Sequence, residues 1–375
     1  MDLKECREKI DEIDARIVRL YEERMKVSEE VALYKLSKGM NVLDKSREKA
    51  KRDAVKALTH DEFNSKGIEE LYNHIMSISR KKQYDIMEEK GMGSRPSFIP
   101  KDELDTDNAR IVYQGTEGAY SEEAAIRYFG ENSLRIHVDT FKDAMSLIDE
   151  GLADFAVLPI ENSSAGIVSE NYDLLTQFEN YIVGTQVVEI SHCLAGLPGS
   201  SLKDIRDVFS HPQALMQSRE FLDCHRSMQA HPFQNTALAA KKVSEDGLIH
   251  QAAICSEHCA ALYGLDVLQR DINYSSKNST RFIIVTNQKI FLKNAKRVSI
   301  CFEIPDKTGS LYHVLSLFYY NDVNMSHIES RPIPEHPGEY RFFVDFDGNL
   351  SGHSVRNALH GLREETINMK ILGNY

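Results

Sequence analysis

A chain of 375 residues, 42% hydrophobic and 27% charged, has the composition of an ordinary globular protein and is long enough for two or three domains with their own cores. Its formal net charge of -12 excludes a general binder of nucleic acid or of anionic membranes, so anionic ligands must be met by local basic clusters. The opening Met1-Asp2-Leu3-Lys4-Glu5 lacks the basic and apolar regions of a signal peptide, and no apolar run approaches the roughly 18 residues of a membrane span. A cytoplasmic setting is expected. The six cysteines lack metal-type spacing and are expected to be free, mostly buried thiols.

Residues 1–90 read almost wholly as helix: one to about Leu36, a second from about Asp44 to Leu58 and a third from about Ile68 to Met87. At about 100° per residue, Ile10, Ile13, Ile17, Leu20, Val27 and Val31 share one face of the first helix. Arg24 and Lys35 fall in the same arc, about 16 Å apart along the axis. One buried-side cation is ordinarily a snorkelling side chain. Two in one stripe point to a pocket for a small dianion, because an unpaired buried cation costs several kcal/mol. Arg7 lies a further 25 Å or so away and is rotated by about 100°, so it serves the same pocket only from a second, antiparallel chain. A helix of about 50 Å also needs a partner subunit to cover it. Helical spacing groups Asp44, Arg47 and Glu48 at the start of the second helix, and Ser79 and Gln83 on the third.

These residues, in this order, resemble the all-helical chorismate mutase family. The resemblance implies that Arg7 of a partner chain and Arg24 hold the two carboxylates of chorismate. It implies that Lys35 and Gln83 donate to the ether oxygen, and that Asp44, Arg47, Glu48 and Ser79 take the substrate hydroxyl and one carboxylate.

Residues 91–109, with Gly91, Gly93, Pro96 and Pro100, read as a linker. Residues 110–290 then alternate short β-branched runs with helical stretches, the signature of a mostly parallel, two-lobed α/β domain. Ser121 caps a helix after the glycine turn Gly115–Gly118. Pro159 to Gly166, Ser210-His211-Pro212-Gln213 and Asn278-Ser279-Thr280-Arg281-Phe282 crowd polar side chains at strand boundaries, where open α/β sheets hold ligands. His192, His225, His231 and His258 have no usable spacing and read as structural or exposed. Asn235-Thr236-Ala237 reads equally as a helix cap or a ligand group.

This segment resembles prephenate dehydratase, with Thr280-Arg281-Phe282 its most specific mark. The resemblance implies a periplasmic-binding-protein-like fold with the site in the cleft. Thr280 is then the donor at the leaving hydroxyl of prephenate and Arg281 a carboxylate clamp, with Ser121, Asn162 and Ser163 as orienting contacts. A relay through Glu161, His211 or water is left open.

Residues 296–375 spell βαββαβ, the ferredoxin-like α+β order. They resemble the ACT family of amino-acid-binding regulatory domains. The resemblance implies an L-phenylalanine site at a contact between two such tails, built from Gly309, Ser310 and Leu311 at a helix start and from Glu329, Ser330 and Arg331.

Taken whole, the chain resembles the bifunctional chorismate mutase/prephenate dehydratases that open phenylalanine synthesis under feedback by L-phenylalanine. A homodimer or dimer of dimers is expected. The absence of Walker, Rossmann or zinc motifs implies no cofactor and no metal. A competing reading is a non-enzymatic sensor that binds aromatic metabolites without turnover.

Overall fold

A computed structural model describes residues 2–90, 97–274, 278–333, 336 and 338–375. The chain forms two compact units, one made of Met1–Ser97 and Cys301–Met369, the other of Phe98–Ile300 and Lys370–Tyr375.

The first unit begins with three helices, α1 (Leu3–Lys38), α2 (Lys45–Lys56) and α3 (Glu62–Glu89). Each has an aspartate at its start, Asp2, Asp44 and Asp61, whose side chain accepts a backbone N–H of the first turn. At Asp2 the bond is reciprocated by Glu5, which makes a capping box. Gly39 ends α1 in the left-handed conformation, at φ 61°. The third helix starts earlier than its periodicity predicts. The expected start was near Ile68, whereas the Asp61 cap starts it at Glu62.

Among the described residues nothing covers the apolar stripe of α1. Ile13, Ile17, Leu20 and Val27 are 50–62% exposed, and only Ser28 and Ala32 of α1 are buried. Only the C-terminal half of the helix has the third helix to pack on.

The C-terminal elements, after those of the second unit given next, are β14 (Arg297–Glu303), α11 (Ser310–Tyr320), β15 (Met325–Pro332), β16 (Tyr340–Asp347), α12 (His353–Glu365) and β17 (Ile367–Asn374); they belong to the first unit except for the start of β14 and the end of β17. This is the expected βαββαβ order, with β15-β16-β14-β17 as neighbours in the sheet. Within the unit, α12 meets α3. His360 stacks on Tyr84 at 5.2 Å, and Arg356 pairs with Glu88 at 2.5 Å.

The second unit runs β1 (Ile99–Lys101), β2 (Arg110–Gln114), α4 (Tyr120–Phe129), β3 (Leu134–Val138), α5 (Phe141–Asp149), β4 (Phe155–Asn162), β5 (Gly166–Ile167), α6 (Ser169–Gln177) and β6 (Tyr181–Glu189). It continues through β7 (Cys193–Gly196), β8 (Asp207–Ser210), α7 (Pro212–Gln217), α8 (Arg219–Cys224), β9 (Gln229–Pro232), α9 (Thr236–Asp246), β10 (Gln251–Cys255), α10 (Glu257–Leu262), β11 (Asp266–Gln269), β12 (Ser279–Thr286) and β13 (Ile290–Leu292). One sheet carries β6-β12-β4-β2-β3, and a smaller one carries β11-β7-β10-β8-β9.

The sheets are mixed, which corrects the expectation of a mostly parallel arrangement. Strand β12 runs antiparallel to both β4 and β6, and β7 is antiparallel to β10 and β11. The linker is corrected too. Gly91, Gly93 and Pro96 lie outside the described residues, but Ile99–Lys101 is a strand paired in parallel with Ile290–Leu292. The larger sheet buries Ile111, Tyr113, Val157, Phe282 and Ile284 in one core. The smaller sheet packs on α9 through Ala237, Ala239 and Ala240, small side chains that let the helix lie close to the strands.

Candidate active sites

In the helical part of the first unit, α1 and α3 place Arg24 against Ser79, with Nη1 donating to Oγ at 2.6 Å. Ser79 and Gln83 are one turn apart and both buried. The Gln83 Oε1 is buried without a hydrogen-bond partner among the described residues, a costly state that a donor from a ligand or water would relieve. Lys35 donates to the Val42 carbonyl in the turn before α2. Burial lowers its pKa, against the opposing charges of Asp44, Glu48 and Glu364, while nearby Arg80 adds to the lowering. Asp44 caps α2 with 2.6 Å to Ser46 Oγ and 2.9 Å to the Arg47 N–H, and these hydrogen bonds hold its carboxyl low.

The fold therefore gathers Arg24, Lys35, Glu48, Ser79 and Gln83 around one region, with Asp44 at its edge. It does not bring in Arg7, which is exposed on the uncovered half of α1, and the Arg47 side chain is exposed as well. Sequence reasoning missed Arg80. This buried residue grips Glu48 and reaches Glu365 of α12 at 3.4 Å, while Tyr84 hydrogen-bonds Glu364. The helical spacing of Arg80 from Ser79 and Gln83 was readable, but its carboxylate partners are not local in sequence.

In the second unit a cavity of about 230 Å³ takes its walls from both sheets. Tyr120, Ser121, Asn162, Thr280 and Phe282 come from the larger sheet and its helix α4, while His192, His211, Gln213, Gln217, Asn235 and Thr236 come from the smaller. The first turns of α4, α7 and α9 all contribute. At two of them a side chain already takes a first-turn N–H, His211 that of Gln213 and Asn235 that of Leu238, and no arginine lines the cavity among the described residues.

The orientation of Thr280 follows from backbone geometry. The Asn162 Oδ1 accepts the backbone N–H groups of Ser164 at 3.0 Å and Ala165 at 2.9 Å, so this end of the amide must be oxygen. Its Nδ2 then faces Thr280 Oγ1 at 2.9 Å and donates to it. Thr280 Oγ1 is the acceptor there, and its own proton is left to point elsewhere.

Two expectations are corrected. Arg281 lies between Thr280 and Phe282 on β12, so strand alternation turns it away from the cavity, and it pairs with Glu161 at 3.0 Å. Ser163 does not line the cavity, and its Oγ accepts the Ser279 N–H at 2.9 Å. Ser121 does line it, but it lies inside α4, whose cap is Ala119 and not Ser121 as expected, and its hydroxyl donates to the Gln114 carbonyl at 2.5 Å, leaving lone pairs rather than a proton for a ligand. Of the two readings left for His192, structural or exposed, the second is excluded, because the residue is buried at the cavity wall. Burial lowers the pKa of both His192 and His211, so both imidazoles are neutral at pH 7.

The C-terminal part of the first unit has a cavity of its own, of about 370 Å³. Gly309, Ser310, Leu311 and Tyr312 line it, with Gly309 at φ 84°, a conformation that favours glycine. Glu329, Ser330 and Arg331 do not line it. They lie on the edge strand β15, whose side chains alternate between half-buried and exposed.

The chorismate mutase type II family model matches residues 6–84, and the prephenate dehydratase family model matches residues 111–290. Across 98% of this chain and 95% of its own length, the bifunctional chorismate mutase/prephenate dehydratase of Escherichia coli K12 is 30% identical. The chain belongs to this bifunctional family. A bifunctional relative from Aquifex aeolicus is 28% identical and covers 100% of this chain and 98% of its own. A prephenate dehydratase from Arthrobacter aurescens, solved in complex with L-Phe, is 32% identical with a TM-score of 0.66, over 71% of this chain and 89% of that one. Two enzymes thus share one polypeptide: a helical mutase that turns chorismate into prephenate, and an α/β dehydratase that turns prephenate into phenylpyruvate.

Proposed function

We propose that the mutase works through Arg24, Lys35, Asp44, Arg47, Glu48, Ser79 and Gln83 of one subunit and Arg7 of a partner, and the dehydratase through Thr280 and Asn162 with Ser121 at the wall. The mutase step is a [3,3] rearrangement and needs no covalent help. The site holds chorismate in its compact diaxial form and stabilises negative charge growing on the ether oxygen. Lys35 and Gln83 are the donors to that oxygen, with the Gln83 amide turned to present its N–H; Arg24 takes one carboxylate and the partner's Arg7 the other. Donors preplaced in a helical core supply much of the roughly 8 kcal/mol that a millionfold acceleration requires. The uncovered stripe of α1 supports the dimer that this arrangement needs.

In the dehydratase, prephenate loses carbon dioxide from one ring carbon and hydroxide from the opposite one, and aromatisation drives the reaction. The Thr280 proton is donated in a hydrogen bond to the leaving hydroxyl, which departs as water with a proton from solvent. The helix N-termini hold the carboxylates that Arg281 was expected to clamp. The observation that carries this reading is the backbone-fixed Asn162 amide, which makes Thr280 Oγ1 an acceptor and frees its proton for the substrate.

The C-terminal module is, in this reading, an ACT domain. L-phenylalanine binds with its carboxylate at the Gly309 loop, where Ser310 and Leu311 open α11. The Glu329-Ser330-Arg331 edge of a second copy completes the site. The complex of the Arthrobacter relative with L-Phe supports this assignment. Free thiols throughout the chain accord with a reducing, cytoplasmic compartment.

The deciding experiment is Thr280→Val against Thr280→Ser in the full chain. Valine keeps the shape and removes the hydroxyl, so dehydration falls by about a hundredfold or more while mutase turnover stays intact. Serine restores most of the rate. Dehydration by T280V within a few fold of the wild-type rate would refute the role of Thr280.

A further inference from the structure

The Thr280 hydroxyl is the end of a longer chain of hydrogen bonds whose direction is fixed from Asn162 backwards. The Asn162 Oδ1 is an acceptor, so Ser164 Oγ, 2.8 Å away, must donate to it. Ser164 Oγ is then free only to accept from Gln217 at 2.7 Å, which makes the facing amide atom Nε2. Gln217 Oε1 therefore faces His192 Nε2 at 3.0 Å, and that imidazole nitrogen must carry the proton. On the far side of the ring, Tyr120 Oη lies 3.0 Å from Nδ1. Each donor points toward Thr280, and such aligned bonds polarise one another.

The chain also crosses the cavity. His192 lies between β6 of the larger sheet and β7 of the smaller; Gln217 ends α7 on the smaller sheet, and Ser164 belongs to the turn after β4 of the larger. The Gln217–Ser164 bond ties the two walls together. The imidazole is well anchored for this task, with its backbone N–H donating to Asn273 Oδ1 at 3.2 Å and its carbonyl accepting the Ile272 N–H at 3.0 Å.

Resting on the assignment of Thr280 to the leaving hydroxyl, we propose that His192 is a positioning residue for dehydration. It heads the one-way series His192, Gln217, Ser164, Asn162, Thr280, which holds the Thr280 proton toward the substrate and the two walls at their working separation. No proton moves along the series. Its effect is orientation and polarisation, so it acts on the chemical step more than on substrate binding.

The test uses the full-length enzyme with His192→Phe, His192→Asn, His192→Gln, Gln217→Ala and the double variant H192F/Q217A. Prephenate kcat and KM are measured, with mutase turnover as the control for folding. Glutamine places an N–H where Nε2 stood, whereas asparagine is too short to do so. H192F and H192N are expected to lose about tenfold or more in kcat with KM little changed, and H192Q to recover most of it. Because the groups act as one unit, the double variant is expected to be no slower than the slower single variant. H192F turning over within about twofold of wild type, equal rates for H192Q and H192N, or multiplying losses in the double variant would each overturn the proposal. If H192F fails to fold, the glutamine and asparagine pair decides alone. T280V separates this from the parent reading: an inactive T280V beside a fully active H192F removes the role of His192 only, whereas an active T280V removes that of Thr280.

Discussion

Arg80 holds both carboxylate oxygens of Glu48 with a single guanidinium nitrogen, at 2.6 and 2.5 Å, inside the helical part of the chain. Burial disfavours the Arg80 charge, but Glu48 outweighs it and the pKa rises. Glu48 is thereby fixed in place beside Lys35 and the other residues proposed for the mutase site. Removing the cation leaves a carboxylate largely out of water, a loss of about 3–5 kcal/mol when a buried pair is broken. Arg80→Met is expected to lower mutase kcat/KM by about tenfold or more and to leave prephenate turnover unchanged. Since Glu365 reaches the same guanidinium at 3.4 Å, Glu365→Gln is expected to change the mutase mildly and the dehydratase not at all. Parallel steady-state assays on both substrates check this.

The mutase should fail at high pH sooner than an ordinary lysine would dictate. In the proposed role Lys35 stabilises the growing charge on the ether oxygen as an ammonium, far better than a neutral amine would, and burial holds its pKa below the ordinary 10.5. As pH rises through that lowered value the donor is lost, so kcat/KM falls on an alkaline limb that begins below 10.5. Asp44, Glu48 and Glu364 act in the opposite sense, so Glu48→Gln is expected to move the limb lower still. Lys35→Arg, which keeps its charge, is expected to flatten the limb in whatever activity it retains. A wild-type profile still rising at pH 10.5 would rule out Lys35 as the donor.

Much of this organisation can be read from residue order, and the limits have physical causes. Aspartate caps and apolar periodicity mark the three helices, because a helix is decided by neighbours within four residues. The antiparallel course of β12 is not legible, since it depends on strands far along the chain. Thr280 and Asn162 are recognisable from their motifs, whereas the outward turn of Arg281 follows from the two-residue period of a strand, which places Thr280 and Phe282 together and Arg281 opposite. The place of His192 at the cavity wall is not legible either, because its partner Gln217 is 25 residues away and the next bond spans 53. Arg80 went unnoticed for the same reason, with Glu48 lying 32 residues earlier.

Shared mutase sites can be tested by mixing subunits. Arg7→Ala and Arg24→Ala are each expected to abolish both sites of a homodimer. In a hybrid, one site receives an intact Arg24 from one chain and an intact Arg7 from the other. Random exchange makes about half of the dimers hybrid with one working site in two, so about a quarter of wild-type activity returns on mixing. No recovery after unfolding and refolding the mixture would mean that Arg7 serves its own chain. Ile13→Glu with Ile17→Glu, on the uncovered face, is expected to give a monomer with little mutase activity, seen by sedimentation.

Phenylalanine control is expected to depend on Gly309. A Cβ there meets nothing closer than His313 Nε2 at 3.6 Å, so space is available, but φ 84° disfavours any side chain. Gly309→Ala together with Ser330→Ala is expected to abolish inhibition of the dehydratase by L-phenylalanine while keeping turnover near wild type. Normal inhibition of that variant in an inhibitor titration would place the site elsewhere.

Two separate centres on one chain are tested most directly by feeding the purified enzyme chorismate and following prephenate and phenylpyruvate together. The wild type is expected to deliver phenylpyruvate, T280V to stop at prephenate, and Lys35→Ala to leave chorismate unused yet consume added prephenate normally. If either substitution damages both steps equally, or if Lys35→Ala converts chorismate at the full rate, the assignment of the two sites is wrong.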